Sequence, residues 1–120
     1  LQGGGRAKKS YLHASDLSRA ILLSLTSEPG IYNCGPETAT SIKDVVTLCA
    51  EACGMALDDL VTITDDRVGQ DGQYWLDSSK LKALGWQPSI ELWEGIVDMA
   101  HWIESNPEIL KMSTDWTVRP

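Results

Sequence analysis

Apolar residues recur at helical spacing in several parts of the chain. In the clearest of these, apolar side chains follow one another at intervals that place them on one helical face: Ile42, Val45, Val46, Cys49 and Cys53. Ser41 can cap the amino end of this helix, and Gly54 can end it in the left-handed conformation. The spacing therefore predicts an amphipathic helix over residues 42–53.

Two other helices are predicted before and after this one. Residues 16–26 are apolar nearly all round, which is typical of a largely buried helix, and either Ser15 or Asp16 can cap it. A short helix is predicted over 77–84, with Asp77 as its cap and Gly85 in the left-handed position after it.

The remaining pattern predicts one long helix and three short strands. The helix begins after a Ser89 cap, carries apolar side chains along one side, and ends at Asn106–Pro107. The strands are short apolar, β-branched or aromatic runs at 11–14, 31–34 and 60–64.

The alternation of about four helices with three short strands predicts an α/β fold that is rich in helix. Such strands are too few and too short for an independent doubly wound sheet, so we expect them to complete a sheet that lies elsewhere. Residues 1–107 are predicted to form one domain, and residues 108–120 a carboxyl-terminal tail.

The charge balance argues against a nucleic-acid partner. The formal net charge is −7 and the sequence pI is about 4.6, whereas proteins that bind a phosphate backbone carry a basic face. Against this acidic background, Arg6, Lys8 and Lys9 form a local basic cluster, which is either a solvated loop or an anion-binding segment. No apolar run approaches 18 residues, so no membrane-spanning segment is predicted.

The three cysteines fit no zinc-site spacing. Cys49 and Cys53 lie on the apolar face of the predicted helix, so we interpret them and Cys34 as ordinary buried thiols. Free thiols suit a reducing compartment such as the cytoplasm.

Several segments match a known pattern in order and spacing. Residues 3–16 read GGGRAKKSYLHASD, residues 32–35 read YNCG, and residues 66–80 read DRVGQDGQYWLDSSK, followed by LGWQP at 84–88. These segments resemble the extended short-chain dehydrogenases/reductases, the NAD-dependent epimerase/dehydratase family, and most closely its dTDP-glucose 4,6-dehydratases. The resemblance covers nearly the whole chain and implies the carboxyl-terminal, substrate-binding part of that fold without its Rossmann half.

The resemblance also implies four substrate-binding residues. In relatives, an arginine from each of two segments reaches the substrate diphosphate; here Arg67 stands in the second segment and Lys9 in the first. Two cations from separate segments suit a dianion, although Lys lacks the two parallel donors of Arg. Gln70 would hydrogen-bond a phosphate or ribose oxygen, Asp71 would accept from a sugar or ribose hydroxyl, and Tyr74 would support the loop.

The departures from the family pattern leave alternatives open. Ser10 and Gln73 stand where the family has Asp and Arg, so the base, the sugar and the subclass are not fixed. By residue type alone, Arg67 also suits a surface salt bridge, and Gln70 and Asp71 are common turn residues.

The catalytic signatures of the family are not in the sequence. The glycine run at Gly3–Gly5 precedes a predicted strand rather than following one, and Tyr11 and Tyr74 have Ser rather than Lys four residues on. NAD is the cofactor of the parent family, but we expect this chain alone to bind no cofactor and to be inactive.

We therefore interpret the chain as the nucleotide-sugar-binding portion of an NAD-dependent nucleotide-sugar 4,6-dehydratase in the cytoplasm. The alternatives are a fragment of a nucleotide-sugar 4-epimerase and a stand-alone, non-catalytic binding or oligomerisation module. The expected partners are a nucleotide-sugar and either a separate Rossmann-domain chain or a second copy of this chain. No metal site, nucleic acid or membrane is expected.

Overall fold

The computed structural model describes residues 1–112, which form five α-helices and a two-stranded sheet. The helices are α1 (Ala14–Ser24), α2 (Ile42–Ala52), α3 (Leu57–Leu60), α4 (Ser79–Ala83) and α5 (Leu92–Ser105). The strands are β1 (Lys8–Lys9) and β2 (Thr40–Ser41), and short 3-10 helices span Gly3–Gly5 and Pro107–Lys111. The small, helix-rich α/β fold predicted from the sequence is confirmed. Of the predicted tail at 108–120, residues 113–120 lie outside the described residues.

Strand β1 is the place where three separate segments meet. On one side it pairs with β2 in antiparallel fashion, with Lys8 opposite Ser41. On its other side, the Lys8 amide donates to the Gly72 carbonyl at 2.8 Å, and the Tyr74 amide donates to the Lys8 carbonyl at 3.0 Å. The amino-terminal motif and the motif around residues 66–80 are therefore neighbours in space.

The three predicted strands form no ladder within the described residues, so their expected role in completing a sheet elsewhere stays a prediction. Within the described residues, 11–14 and 31–34 belong to no paired strand, and 60–64 contributes only a single bridge at Thr64. An apolar run becomes a strand only when a neighbouring segment satisfies its backbone hydrogen bonds, which the sequence pattern alone cannot supply. The beginning of 60–64 instead ends α3, whose first turn carries two aspartates that favour a helix.

The ends of α2 agree with the prediction. The Ser41 hydroxyl accepts from the Asp44 amide at 3.0 Å, and Gly54 takes the left-handed conformation with φ of 65°. Local signals were sufficient here because both ends are closed by residues within the segment itself.

The starts of the two later helices differ from the prediction. Asp77 does not cap α4; its carboxylate accepts from the Ser79 amide at 2.9 Å, and the helix begins at Ser79 after Ser78. Ser89 does not cap α5 either, because Glu91 is the cap and forms a capping box with Glu94. The cap therefore moves by one residue for α4, from Asp77 to Ser78, and by two for α5, from Ser89 to Glu91.

Asp16 explains why Ser89 is unavailable as a cap. His13, not Asp16, caps α1, and the Asp16 side chain is fully buried. Its carboxylate accepts from the amides of Ser89 and Ile90 at 3.0 and 3.1 Å, from the Ser89 hydroxyl at 3.0 Å, and from Arg19. Burial raises the pKa of Asp16, but the hydrogen bonds from Ile90, Arg19 and Ser89 outweigh that effect and lower the pKa below its ordinary value. This carboxylate ties α1 to the segment that leads into α5.

A small core lies beside this carboxylate. Ala20 of α1, Leu81 of α4 and Trp86 are buried, and the Trp86 indole N–H donates to the main-chain oxygen of Asp16 at 3.0 Å. The partly buried residues packed against them are Leu12, Leu23, Tyr32 and Cys34. The core therefore brings the first half of the chain against the segment that follows the loop motif.

The prediction that α1 is largely buried was wrong. Only Asp16 and Ala20 are buried in it, and much of its apolar surface is exposed: Leu17, Ile21 and Leu22, together with Leu25 at its carboxyl-terminal cap. Leu22 and Leu25 are 65% and 74% exposed. One side of α1 packs on the core, and no other described segment covers the opposite side.

The prediction of buried thiols was also wrong for two of the three cysteines. Cys49 and Cys53 are exposed, and Cys34 is half-buried. Ala50, which is 2% exposed, is the residue of α2 that faces the interior. Both exposed cysteines line a groove of about 460 Å³ between α2 and α5 instead.

Candidate functional site

Lys9 and Asp71 lie together where the loop motif runs beside β1. The Lys9 ammonium donates to the main-chain oxygen of Asp71 at 3.2 Å, across 62 residues of sequence. The same ammonium lies 3.7 Å from the centre of the Tyr74 ring, a cation–π contact. The Tyr74 hydroxyl donates to the Asp71 carboxylate at 2.5 Å. Two of the four predicted site residues are thus in direct contact.

The loop that carries three of the predicted residues is shaped by short-range hydrogen bonds. The Asp66 carboxylate accepts from the Arg67 amide at 3.1 Å, and the Arg67 carbonyl accepts from the Gln70 amide at 3.1 Å. Gly69, with φ of 77°, supplies the left-handed residue that closes this turn. The turn presents the Arg67 side chain to solvent.

The Gln70 side chain lines a small pocket and contains a buried polar atom without a described partner. The pocket has a volume of about 160 Å³ and is lined by Gln70, Asp71, Gly72, Arg6, Ala7 and Asp66. The Oε1 atom of Gln70 is buried and accepts no hydrogen bond from any described residue. Because a buried acceptor without a donor is costly, this position suits a hydroxyl or N–H group from water or a ligand.

Arg67 contacts neither Lys9 nor Gln70 through its side chain. Among the described residues, the Arg67 guanidinium takes part in no ion pair and no hydrogen bond. Its charge still reaches Tyr74: the hydrogen bond to Asp71 raises the pKa of Tyr74, whereas Arg67 acts to lower it. The structure therefore brings Lys9, Gln70 and Asp71 close together and leaves Arg67 exposed nearby.

Two residues of this region were not predicted as site residues from the sequence. Arg6 and Asp66 both line the Gln70 pocket, and they form an ion pair at 3.6 Å. The signal for Arg6 was present in the basic cluster, but nothing in the sequence linked that residue to Asp66, which lies 60 positions away. Asp66, which precedes Arg67, is therefore paired with Arg6 and not with the Arg67 side chain.

The glycine run does not fit the phosphates of NAD. Gly3–Gly5 forms a 3-10 turn before β1, not a turn between a strand and a helix. A Cβ atom at Gly3 would lie 2.5 Å from the Asp66 carboxylate, so a carboxylate, which repels phosphate, occupies that side of the backbone. No described group of three or more acidic, His or Cys side chains is arranged to hold a metal ion.

No helix of the described residues has the length and apolar character needed to cross a membrane.

Comparison with known proteins gives consistent relatives but no matching family profile. The chain is 32% identical to the dTDP-D-glucose 4,6-dehydratase of Mus musculus over 113 residues, which are 88% of this chain and 32% of that protein. It is 31% identical to the dTDP-glucose 4,6-dehydratase of an Actinoplanes strain over 107 residues, 87% of this chain and 33% of that protein.

Solved structures agree with this result. A dTDP-glucose 4,6-dehydratase from Streptomyces venezuelae with NAD bound superimposes with a TM-score of 0.82 at 25% identity, over 91% of this chain and 34% of that one. A UDP-glucose 4-epimerase from Thermotoga maritima with UDP-glucose gives 0.81 at 26% identity, over 89% and 35%. The predicted resemblance to the extended short-chain dehydrogenases/reductases is confirmed. The chain spans about one third of the length of these relatives.

Proposed function

We propose that the chain is the nucleotide-sugar-binding portion of a nucleotide-sugar 4,6-dehydratase of the dTDP-glucose type, with the catalytic half outside this chain. The observation that carries the proposal is the contact between Lys9 and Asp71, which joins the two motif segments at one place. The similarity to dTDP-glucose 4,6-dehydratases over about nine tenths of the chain supports the substrate class.

The substrate diphosphate is assigned to Lys9 and Arg67. The Lys9 ammonium has three N–H donors and uses one on the Asp71 main-chain oxygen, which leaves donors for a phosphate oxygen. Arg67 is exposed and its fork of five donors has no described partner, so it can close over the anion when the ligand arrives. Charge-assisted bonds of this kind are the strong ones in anion recognition.

Gln70 and Asp71 are assigned to hydroxyl groups of the ligand. The buried Oε1 of Gln70 needs a donor, and a ribose or sugar hydroxyl supplies one. The Asp71 carboxylate has one oxygen bonded to Tyr74 and a second oxygen that can accept from a hydroxyl.

Calorimetry on the 120-residue chain tests the assignment. We expect dTDP and dTDP-glucose to bind, with UDP-glucose and CDP-glucose showing how strictly the base is recognised. Arg67→Ala removes charged hydrogen bonds worth about 1.5–3 kcal/mol, roughly a 10- to 100-fold rise in Kd. Lys111→Ala removes one positive charge from an exposed position far along the sequence and should leave Kd nearly unchanged. Absence of nucleotide binding, or equal effects of the two variants, would overturn the proposal.

Catalysis by this chain alone is not part of the proposal. The Streptomyces venezuelae structure holds NAD, whereas the glycine run here does not fit the phosphates of NAD. Incubation of the chain with NAD and dTDP-glucose should therefore yield no 4-keto sugar. Measurable turnover would show that the chain is a complete enzyme.

We also propose that the chain associates with another protein segment through α1. The exposed apolar side of α1 is a surface that a Rossmann-domain partner or another copy of this chain would cover. We propose a separate Rossmann-containing segment as the partner, because the relatives are about three times as long as the matched region. Light scattering tests the alternative: self-association that Leu22→Glu abolishes would favour an oligomerisation module instead. The free thiols are consistent with a cytoplasmic setting.

A further inference from the structure

Tyr74 lies between the two predicted ligand residues that touch each other, Lys9 and Asp71. Its hydroxyl engages the Asp71 carboxylate, and its ring face receives the Lys9 ammonium. We propose that Tyr74 is a positioning residue that keeps the Asp71 carboxylate off the Lys9 ammonium, so that Lys9 remains available to an anion. This inference rests on the proposed function and adds a residue that controls the charge of that site.

The backbone of Tyr74 is fixed more firmly than the side chains it holds. Its amide donates to the Lys8 carbonyl at 3.0 Å, and its carbonyl accepts from the Ser10 hydroxyl at 3.4 Å. These bonds fall on both sides of Lys9 along β1. A tyrosine side chain has only two rotatable torsions, whereas the lysine side chain has four and is entropically costly to order. Tyr74 therefore costs less conformational entropy to hold in place than the Lys9 side chain that it contacts.

The arrangement of charges carries the inference. The Lys9 ammonium contacts the main-chain oxygen of Asp71, while the carboxylate of the same residue is bonded to the Tyr74 hydroxyl. Lys9 and the Asp71 carboxylate are not among the ion pairs of the described residues, although the two residues touch. Without the Tyr74 hydroxyl, the Asp71 carboxylate could pair with the Lys9 ammonium and neutralise the positive charge that would attract a phosphate.

Tyr74→Phe separates the two functions of the side chain. The variant keeps the ring under Lys9 but loses the hydroxyl that holds the carboxylate. We expect the carboxylate to turn to Lys9 and pyrophosphate binding to weaken about two- to fivefold, the range for an exposed ion pair. Pyrophosphate is the probe because it has no hydroxyl for Asp71 to bind.

A second substitution tests the cause. In the double variant Tyr74→Phe/Asp71→Asn, no carboxylate is left to neutralise Lys9, so pyrophosphate affinity should return to the wild-type value or above. A purely structural role for Tyr74 predicts no such rescue. Tyr32→Phe is the matched control, since it also removes a hydroxyl with a hydrogen bond, to the Glu28 carbonyl at 2.7 Å, and should not change binding.

Two measurements without ligand separate this inference from the proposed function. The hydrogen bond to Asp71 raises the pKa of Tyr74, so Asp71→Asn should lower the pH at which Tyr74 ionises. Ultraviolet absorbance measures this ionisation, and the spectrum of Tyr74→Phe identifies the contribution of Tyr74. The Lys9 ε-protons should show an upfield ring-current shift in NMR spectra that Tyr74→Leu removes. If both are unaffected, or if wild type binds pyrophosphate and Tyr74→Phe binds it equally well, the inference fails while nucleotide-sugar binding can still hold. If wild type binds no anion although both signatures are present, the proposed function fails, and with it the positioning role of Tyr74.

Discussion

The buried carboxylate of Asp16 allows a stability effect to be worked out from individual contacts. Its two oxygens receive two main-chain amides, one hydroxyl and one guanidinium. Asp16→Asn keeps the shape but leaves one acceptor oxygen in place of two. In one orientation the new NH₂ group faces the amides of Ser89 and Ile90, and in the other it faces the donors of Arg19. In either orientation, the NH₂ group of the new asparagine faces hydrogen-bond donors and cannot accept from them.

The expected cost follows from the number of donors that lose their acceptor. One or two partly buried donors left unsatisfied cost about 1–3 kcal/mol each, so Asp16→Asn should lower the free energy of unfolding by about 1–6 kcal/mol. Glu51→Gln removes the same charge at an exposed site of α2 and should stay within about 0.5 kcal/mol of wild type. Urea unfolding followed by tryptophan fluorescence measures both, since Trp86 is 5% exposed and bonded to Asp16.

The pH dependence of this difference checks its cause. The pKa of Asp16 in the folded state is lowered from its ordinary value of 3.8, so its contribution to stability is present in full above that pH and is lost as the pH falls through the folded-state pKa. The gap between wild type and Asp16→Asn should therefore be widest near neutral pH and narrow on acidification below 3.8. A gap below about 0.5 kcal/mol, the size expected for a surface substitution, or a gap independent of pH, would refute the reasoning.

Two further predictions use the same urea assay with matched controls. Gly5→Ala should cost about 1–3 kcal/mol, because Gly5 has φ of 69° and a Cβ there would lie 2.9 Å from a main-chain nitrogen of α2. Gly72→Ala meets nothing within 4 Å and should stay within about 1 kcal/mol of wild type. Ser78→Ala should cost about 1–3 kcal/mol, because its buried hydroxyl both accepts from and donates to the backbone of Gly35 at 3.0 Å. Ser79→Ala, at an exposed position, is the control for Ser78→Ala and should lower the stability less. Equal unfolding midpoints for Gly5→Ala and Gly72→Ala, or for Ser78→Ala and Ser79→Ala, would contradict the corresponding argument.

The helix ends of α2, which are capped by neighbouring residues, were predicted correctly from the sequence. Features that depend on residues far away in the sequence were not. The start and end of α2 were correct because Ser41 and Gly54 lie within reach of the helix itself. The burial of α1 was wrong because an apolar helix is buried only if another segment covers it. The Ser89 cap was wrong because Asp16, 73 positions earlier, binds that residue.

The candidate site divides in the same way. Arg67 and Lys9 were predicted as site residues from their motif positions, but the contact of Lys9 with Asp71 and Tyr74 comes from the pairing of residues 72–74 with β1. That pairing joins segments more than 60 positions apart, and no local pattern reports it. The unpartnered Oε1 of Gln70 likewise depends on the burial of that atom, which the local sequence does not report.

The balance of charge around Lys9 and Arg67 supports the proposal that these residues bind an anion. The chain carries a formal charge of −7, and acidic side chains stand beside both candidate cations. Yet Asp66 pairs with Arg6, and the Asp71 carboxylate is held by the Tyr74 hydroxyl. These two carboxylates thus each have a partner other than the side chains of Arg67 and Lys9, and neither forms an ion pair with them. In a site without an anionic ligand, these carboxylates would be the natural partners of the two cations.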